Sequence, residues 1–138
     1  DFLLENFDFD LIQVPFNVFD MRLIDGGQLK KIKDNNIEIH ARSVFLQGVL
    51  LDFDNLSDYF LTWRRQFSEY REMVDSSGLS LLEYALNFVL NTQEIDKILV
   101  GVDSKKQLIE ITQAVKSLDS LESHSISDIN LLNPSLWG

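Results

Sequence analysis

The apolar residues of this chain fall into short continuous runs, separated by longer stretches in which they recur every three or four positions. Short apolar runs are typical of buried strands, which we expect at residues 9–15, 37–41 and 97–101. A short helix is expected to end at residue 6, and the recurring pattern predicts helices at residues 28–34, 54–76, 81–90 and 105–118. Strands separated by helices indicate parallel βαβ units and an α/β fold. Periodicity alone leaves open a doubly wound sheet and a (β/α)8 barrel.

The residues that begin two of the predicted helices support these boundaries. Ser80 and Glu83 form the S-x-x-E pattern of a capping box at the head of one helix. Ser104 and Gln107 form the related S-x-x-Q pattern at the head of the last helix. We therefore expect both helices to begin directly after a serine whose hydroxyl accepts a backbone hydrogen bond.

Other segments are predicted from their apolar positions. We interpret residues 43–51 as a loop in which Gly48 allows a close backbone approach, although a simple turn glycine is an alternative. Within the predicted helix 54–76, four aromatic residues at helical spacing should form a buried stripe: Phe60, Trp63, Phe67 and Tyr70. The tail, residues 122–138, is expected to be irregular and docked through Ile129, Leu131, Leu132 and Trp137.

Composition narrows the class of protein. The 138 residues suffice for one domain with a core, and the net charge of −10 lacks the basic footprint that nucleic acids and anionic membranes require. There is no cysteine, which excludes disulfides and thiolate chemistry, and no apolar run reaches the length of a membrane span. We therefore expect a cytoplasmic protein. Because the chain opens on Asp1 rather than Met, we also expect a fragment of a longer polypeptide.

Few side chains could carry chemistry by themselves. His40 and His124 are far apart in the sequence, and two isolated histidines make a poor metal site. Tyr59, Tyr70 and Tyr84 all fall in predicted helices, so we interpret them as packing residues. The sequence has no P-loop, GxGxxG or GxSxG motif. The residues alone therefore assign no catalytic and no metal-binding group.

Three segments, residues 9–22, 37–51 and 83–111, resemble the sixth, seventh and eighth βα units of the aldo-keto reductase family, and the ending NPSLW is similar to family endings. The resemblance implies an α/β fold that is part of a (β/α)8 TIM barrel, with residues 1–138 as a single partial domain. It further implies an oxidoreductase that reduces an aldehyde or ketone with NADP or NAD as cofactor. The cofactor would lie across the C-terminal face of the barrel.

The resemblance also carries over individual positions. Gln13 matches a glutamine that binds the nicotinamide carboxamide, and Arg42 stands where an aromatic residue commonly stacks on the nicotinamide. The pyrophosphate loop and the adenosine end of the cofactor site would be formed by Ser43, Val44, Phe45, Gln47, Gly48, Gly101, Asp103, Ser104, Gln107 and Glu110.

Several of these positions depart from the family pattern. A guanidinium at Arg42 could stack on a ring or instead pair with a carboxylate. Asp103 falls where serine is common, and a carboxylate would repel a 2′-phosphate but could accept from a ribose 2′-OH. Lys105 and Lys106 favour NADP or are simply exposed, so the preference between NADP and NAD stays open. Ile111 replaces a common asparagine, which implies that one adenine contact is missing.

The family's catalytic tyrosine, lysine, aspartate and histidine belong to the first four βα units, upstream of Asp1. The resemblance therefore implies that this chain supplies a cofactor wall, contains no catalytic residue and is inactive alone. Its expected partners are the N-terminal half of the same barrel and a small carbonyl substrate. The alternative is a non-catalytic half-barrel that binds other proteins or self-associates through exposed strand edges and an apolar sheet face.

Overall fold

A computed structural model describes residues 2–137, and a three-stranded parallel sheet lies at its centre. The strands are β1 (Leu11–Pro15), β2 (Glu38–Arg42) and β3 (Lys97–Ile98), in the spatial order β1-β2-β3. The helices are α1 (Phe2–Asn6), α2 (Arg22–Asp25), α3 (Gln28–Asp34), α4 (Arg64–Ser77), α5 (Leu81–Leu90), α6 (Lys105–Ala114) and α7 (Ile129–Leu132). The predicted α/β class and alternation of parallel strands with helices are confirmed.

The two faces of the sheet differ in character. Ile39 and Ala41 of β2 are fully buried, and Val14 of β1, which pairs in register with Ala41, is 6% exposed. Because side chains alternate along a strand, the other face carries the intervening residues. That face is mainly polar, with Gln13, Glu38, His40, Arg42 and Lys97, and the expected apolar sheet face is limited to Leu11 and Pro15 of β1.

An ionic cluster occupies this polar face. Glu38 Oε1 accepts a hydrogen bond from His40 Nε2 at 2.8 Å and is paired with Lys97 Nζ from the neighbouring strand. The hydrogen bonds from Lys97 and then from His40 hold the pKa of Glu38 below its usual range. The cluster therefore links β2 to β3 across the face that the helices leave uncovered.

The predicted aromatic stripe is buried as expected, but it lies on two elements. The segment 54–76 is not one helix: a 3₁₀ helix spans Asp58–Trp63, and α4 follows. Asp52 explains why the helix starts late, because its carboxylate accepts from the Asp54 N–H at 3.0 Å and from Asn55 Nδ2 at 2.6 Å. Such local side-chain bonds favour turns over helix.

The core stacks this stripe on the segment that follows β1. Phe19 is fully buried, with its ring edge-on to Tyr70 at 5.1 Å and stacked on Phe67 at 6.1 Å. Aromatic pairs in these geometries add stability beyond the burial of their area. Helix α4 is thus fixed against the segment after β1, and Tyr84 of α5 joins the cluster edge-on to Tyr70 at 6.0 Å.

Three predicted elements are longer than the elements in the structure. The first strand begins at Leu11 rather than residue 9, because the ladder starts where the Glu38 N–H donates to the Asp10 carbonyl at 3.0 Å. The last strand ends at Ile98 rather than residue 101. The Leu99 N–H still bonds the Ala41 carbonyl at 2.8 Å, but the chain then leaves the sheet edge.

The last long helix, α6, ends at Ala114 rather than residue 118. The buried amide of Asn87, on α5, donates to the Ala114 carbonyl and accepts from the Lys116 N–H, both at 2.8 Å. These bonds give the backbone groups at the C-terminal end of α6 hydrogen-bond partners from outside the helix. Val115 is accordingly extended, and the helix stops there.

The tail is more ordered than expected. Leu131 and Leu132 are buried, and Trp137 packs edge-on against Phe60 at 4.9 Å, as predicted. Ile129 is 43% exposed and does not dock. The tail forms α7 and a 3₁₀ turn at Pro134–Leu136, because Asp128 caps α7. Asp128 also accepts from Trp63 Nε1 at 3.0 Å, which ties the tail to the core.

The capping box at the head of α5 is confirmed. Ser80 Oγ accepts from the Glu83 N–H at 3.2 Å, and Glu83 Oε2 accepts from the Ser80 N–H at 2.8 Å. Glu83 also pairs with Lys116 at 2.8 Å. Lys116, and then the Ser80 N–H, lower the pKa of Glu83 to about 2.

Across residues 2–137, the helices are too short or too polar to cross a membrane.

Acid should weaken the fold partly through Glu83. Its folded pKa of about 2 lies below the ordinary value of 4.5, so its stabilisation is complete above 4.5 and is lost as the pH falls toward 2. In Glu83→Gln, the free energy of unfolding from urea titrations should fall less between pH 6 and pH 3 than in the unaltered protein. Glu72→Gln, on the exposed face of α4, should follow the unaltered protein. An unchanged pH dependence in Glu83→Gln would contradict this role.

Two buried tyrosines should respond differently to loss of the hydroxyl. Tyr84 donates to the Glu122 carbonyl at 3.0 Å, so Tyr84→Phe should cost about 1 kcal/mol of unfolding free energy. The Tyr70 hydroxyl is buried without a hydrogen-bond partner among the described residues, so Tyr70→Phe should be neutral or stabilising. Urea denaturation of both variants checks this, and a larger loss in Tyr70→Phe would contradict it.

Candidate functional site

A cavity of about 760 Å³ lies where the chain leaves the carboxyl ends of β2 and β3. Parallel strands direct their ends to the same edge, so the loop after β2 and the segment between β3 and α6 face each other. The cavity brings together ten of the twelve residues predicted from the sequence: Arg42, Ser43, Val44, Phe45, Gln47, Gly48, Gly101, Asp103, Gln107 and Glu110.

The loop after β2 has an unusual backbone. Ser43, Leu46 and Gln47 have positive φ angles of 58°, 46° and 56°, and Gly48 has 90°. Positive φ is unfavourable for residues other than glycine, so the surrounding structure must hold this conformation. Two bonds do so: the Leu46 N–H donates to the Ser43 carbonyl and the Gly48 N–H to the Phe45 carbonyl, each at 2.9 Å.

Buried side chains anchor the same loop. Val44 and Leu46 are 2% and 1% exposed, whereas Gln47 and Gly48 are exposed at the rim. The buried Asn17 donates from Nδ2 to the Ser43 carbonyl at 3.1 Å, and its Oδ1 accepts from the Phe19 N–H at 3.0 Å. Asn17 thus fixes the loop from behind. Sequence reasoning missed it, because an asparagine after a strand carries no distinguishing pattern.

This arrangement leaves backbone donors at the cavity. The N–H groups of Val44, Phe45 and Gln47 donate no hydrogen bond to any residue in the described part of the chain. Successive N–H groups in a tight turn of this kind can form a concave site for an anion. These N–H groups are therefore the candidate anion donors among the residues that line the cavity.

The N-terminus of α6 forms the opposite wall. Ser104 Oγ accepts from the Gln107 N–H at 3.2 Å, as the sequence predicted. Gln107 Oε1 accepts at 2.7 Å from the N–H of Asp103, not of Ser104, so the reciprocal bond is shifted by one residue. The Ser104 hydroxyl therefore serves as the helix cap. Ser104 does not line the cavity, whereas Asp103 does.

Charge is distributed unevenly around this wall. Asp103 and Glu110 line the cavity, while Lys105 and Lys106 do not. Lys106 Nζ lies 3.6 Å from Glu110 Oε1, with 86% of its side chain exposed. The two carboxylates therefore belong to the cavity lining, whereas the two lysines lie outside it.

The two predicted site residues on the strands differ in their relation to the cavity. Gln13 lies on the polar face of β1, in register with His40, and does not line the cavity. Arg42 lines it, and its Nη1 donates to Ser43 Oγ at 3.3 Å. Among residues 2–137 Arg42 forms no ion pair, so the carboxylate pairing considered from the sequence is not found.

Comparison with known proteins accounts for this geometry. A model of the aldo/keto reductase family matches residues 3–133, almost the whole chain. The chain belongs to the aldo/keto reductase family. No curated protein matches the sequence significantly.

Solved structures of aldo-keto reductases share the fold. The chain superposes on the apo form of aldo-keto reductase AKR11C1 from Bacillus halodurans with a TM-score of 0.68 at 21% identity, covering 85% of this chain and 41% of that one. For the holo form of that enzyme, the TM-score is 0.67 at 20% identity, covering 85% of this chain and 40% of that one. For the thermostable aldo-keto reductase Tm1743 in complex with epalrestat, the TM-score is 0.53 at 19% identity, covering 78% of this chain and 35% of that one. The chain is therefore part of a (β/α)8 barrel, and it spans about 41% of the first of these relatives.

Within this family fold, the site also has apolar walls that the motifs did not predict. Leu51, Leu82, Leu99, Val100 and Ile111 line the cavity beside the polar residues. Leu82 comes from α5, directly before the third segment that carries the resemblance. No group of His, Asp and Glu that could hold a metal ion occurs within residues 2–137.

The strained loop makes a testable distinction between neighbouring positions. Gly48→Ala should cost about 1 kcal/mol, because its φ of 90° disfavours a side chain although a Cβ would meet no atom within 4 Å. Gln47→Gly should be near neutral, because relief of strain at φ 56° offsets the greater freedom of glycine in the unfolded chain. Chemical denaturation of both variants measures this difference. Equal effects would contradict strain as the cause.

Proposed function

We propose that this chain supplies the cofactor-binding wall of an NAD(P)H-dependent oxidoreductase that reduces an aldehyde or ketone. The observation that carries the proposal is the single cavity that collects ten residues chosen from the sequence, from two loops more than fifty positions apart. A coincidental surface cleft would not be expected to gather them. Family membership supports the reaction class.

The loop after β2 suits the pyrophosphate of a dinucleotide. Its uncommitted N–H groups at Val44, Phe45 and Gln47 offer donors to phosphate oxygens. Gly48, at the exposed rim, has no side chain to obstruct a ligand. The N-terminus of α6 on the facing wall adds the favourable end of a helix dipole, since α6 has ten residues.

The wall formed by α6 suits the adenosine end. Gln107 and Glu110 provide an amide and a carboxylate that can bond ribose hydroxyls and ring nitrogens. Leu82 and Ile111 provide an apolar surface for a flat base. We place the adenine beside these residues, and the strand ends toward the nicotinamide.

We place Gln13 and Arg42 at the nicotinamide end. Gln13 is exposed on the polar face of β1, and its amide can both donate to and accept from a carboxamide. The planar guanidinium of Arg42, held beside Ser43, can stack on the ring. The cofactor would supply a hydride to the carbonyl carbon, while these residues hold and orient the ring.

The groups that protonate the carbonyl oxygen would come from outside this chain, from the N-terminal half of the barrel. Support for that partner comes from the outer edges of β1 and β3, which pair with no other strand among the described residues. The segments that precede β1 and follow β3 in the chain carry exposed apolar residues: Phe2, Leu3, Phe7 and Leu11 in the first, and Leu99, Val102, Leu108 and Ile109 in the second. Burying them would favour association with the remaining strands.

Calorimetric titration with NADH and NADPH, on this chain alone and joined to its N-terminal complement, tests the proposal. Glu110→Ala should weaken binding about fivefold, the value of one hydrogen bond of about 1 kcal/mol. Gln113→Ala, exposed on the same helix and outside the cavity, should leave the affinity unchanged.

Only the joined form should reduce carbonyl substrates. Absence of nucleotide binding in both forms would contradict the proposed function and favour a protein-binding module. Turnover by this chain alone would contradict the assignment of the catalytic groups to another segment.

A further inference from the structure

We propose that the cavity takes NADH in preference to NADPH, and that Asp103 is the residue that excludes the 2′-phosphate. This inference rests on the proposed function and deepens it by naming the cofactor. It depends on which charged side chains face the α6 end of the cavity, and on which are turned away from it.

The Asp103 carboxylate is held at the cavity without a counter-ion. Its backbone N–H donates to Gln107 Oε1 at 2.7 Å, which fixes the residue at the start of α6. Asp103 lines the cavity, and its side chain forms no ion pair with another described residue. It can therefore accept a hydrogen bond from a ribose 2′-hydroxyl, the role that acidic residues play in sites for NAD.

The basic side chains nearby do not offset this charge inside the cavity. Lys105 and Lys106 are exposed and outside the lining, and the ion pair of Lys106 is with Glu110 rather than with Asp103. Arg42 is the cation among the lining residues, but it lies at the end of β2, beside Ser43 Oγ. A 2′-phosphate at the α6 end would thus meet the unpaired carboxylate of Asp103, since the carboxylate of Glu110 is paired with Lys106.

The physical consequence is a penalty specific to NADPH. The 2′-phosphate adds between one and two negative charges at neutral pH, each repelled by a carboxylate a few ångströms away. NADH instead presents a hydroxyl that donates to the same carboxylate. We expect NADH to bind ~10-fold or more tightly than NADPH, with a ratio that decreases as salt screens the repulsion.

Dissociation constants for NADH and NADPH, measured on this chain and on the chain joined to its N-terminal complement, test the inference. Asp103→Asn keeps the size of the side chain and removes its charge, so the NADH preference should fall to within ~3-fold, chiefly because NADPH binds more tightly. Asp119→Asn, an exposed acid outside the cavity, is the matched control and should keep the original ratio. Circular dichroism should show that both variants are folded, since neither side chain forms a hydrogen bond or ion pair with another described residue.

The outcomes separate the two proposals. Equal or tighter binding of NADPH by the unaltered protein would overturn the NADH preference and leave the proposed function intact. An unchanged ratio in folded Asp103→Asn would overturn the role of Asp103. Failure of both nucleotides to bind in either form would instead overturn the proposed function.

Discussion

Parallel pairing of β2 with both of its neighbours is the constraint on which the site depends. Five consecutive residues of β1 pair with five of β2, and β3 continues the sheet on the other side. Since the strands run in the same direction, their carboxyl ends meet at one edge. The loop at residues 43–48 and the segment at residues 99–104 must therefore lie side by side, although fifty residues separate them. The cavity between them is a consequence of sheet topology.

The same pairing assigns each strand residue to a face. Ile39 and Ala41 point toward the helices, and Glu38, His40 and Arg42 point away. A shift of register by one residue would bury the charges of Glu38 and move Ile39 into the open, so the register is strongly specified. The polar face also continues into the site, since Arg42 belongs both to the polar face and to the cavity lining. The arrangement that stabilises the sheet thus supplies the charge at the strand end of the cavity.

Local signals in the sequence predicted local structure well. The helices at residues 28–34 and 81–90 have the predicted bounds, because a capping box and a clear apolar period act within a few residues. Bounds that depend on distant residues could not be predicted. The amide of Asn87 ends α6, and an edge position leaves β3 with two residues. The bonds of Asp52 to Asp54 and Asn55 are local, but the apolar period of the segment does not reveal them. For the site, the motifs predicted the polar lining, whereas Asn17 and Leu82 reach it only through tertiary packing.

We propose above all that a dinucleotide binds between the loop after β2 and the start of α6. Amide chemical shifts of the ¹⁵N-labelled protein, followed during titration with ADP-ribose, test this most directly, because that ligand carries the pyrophosphate and adenosine without the nicotinamide. Saturable shifts should centre on Phe45, Gln47, Gly101 and Gln107, whose backbones border the cavity. Shifts confined to the opposite ends of the strands, near Glu38 and Lys97, or no saturable shift at millimolar ligand, would contradict the account.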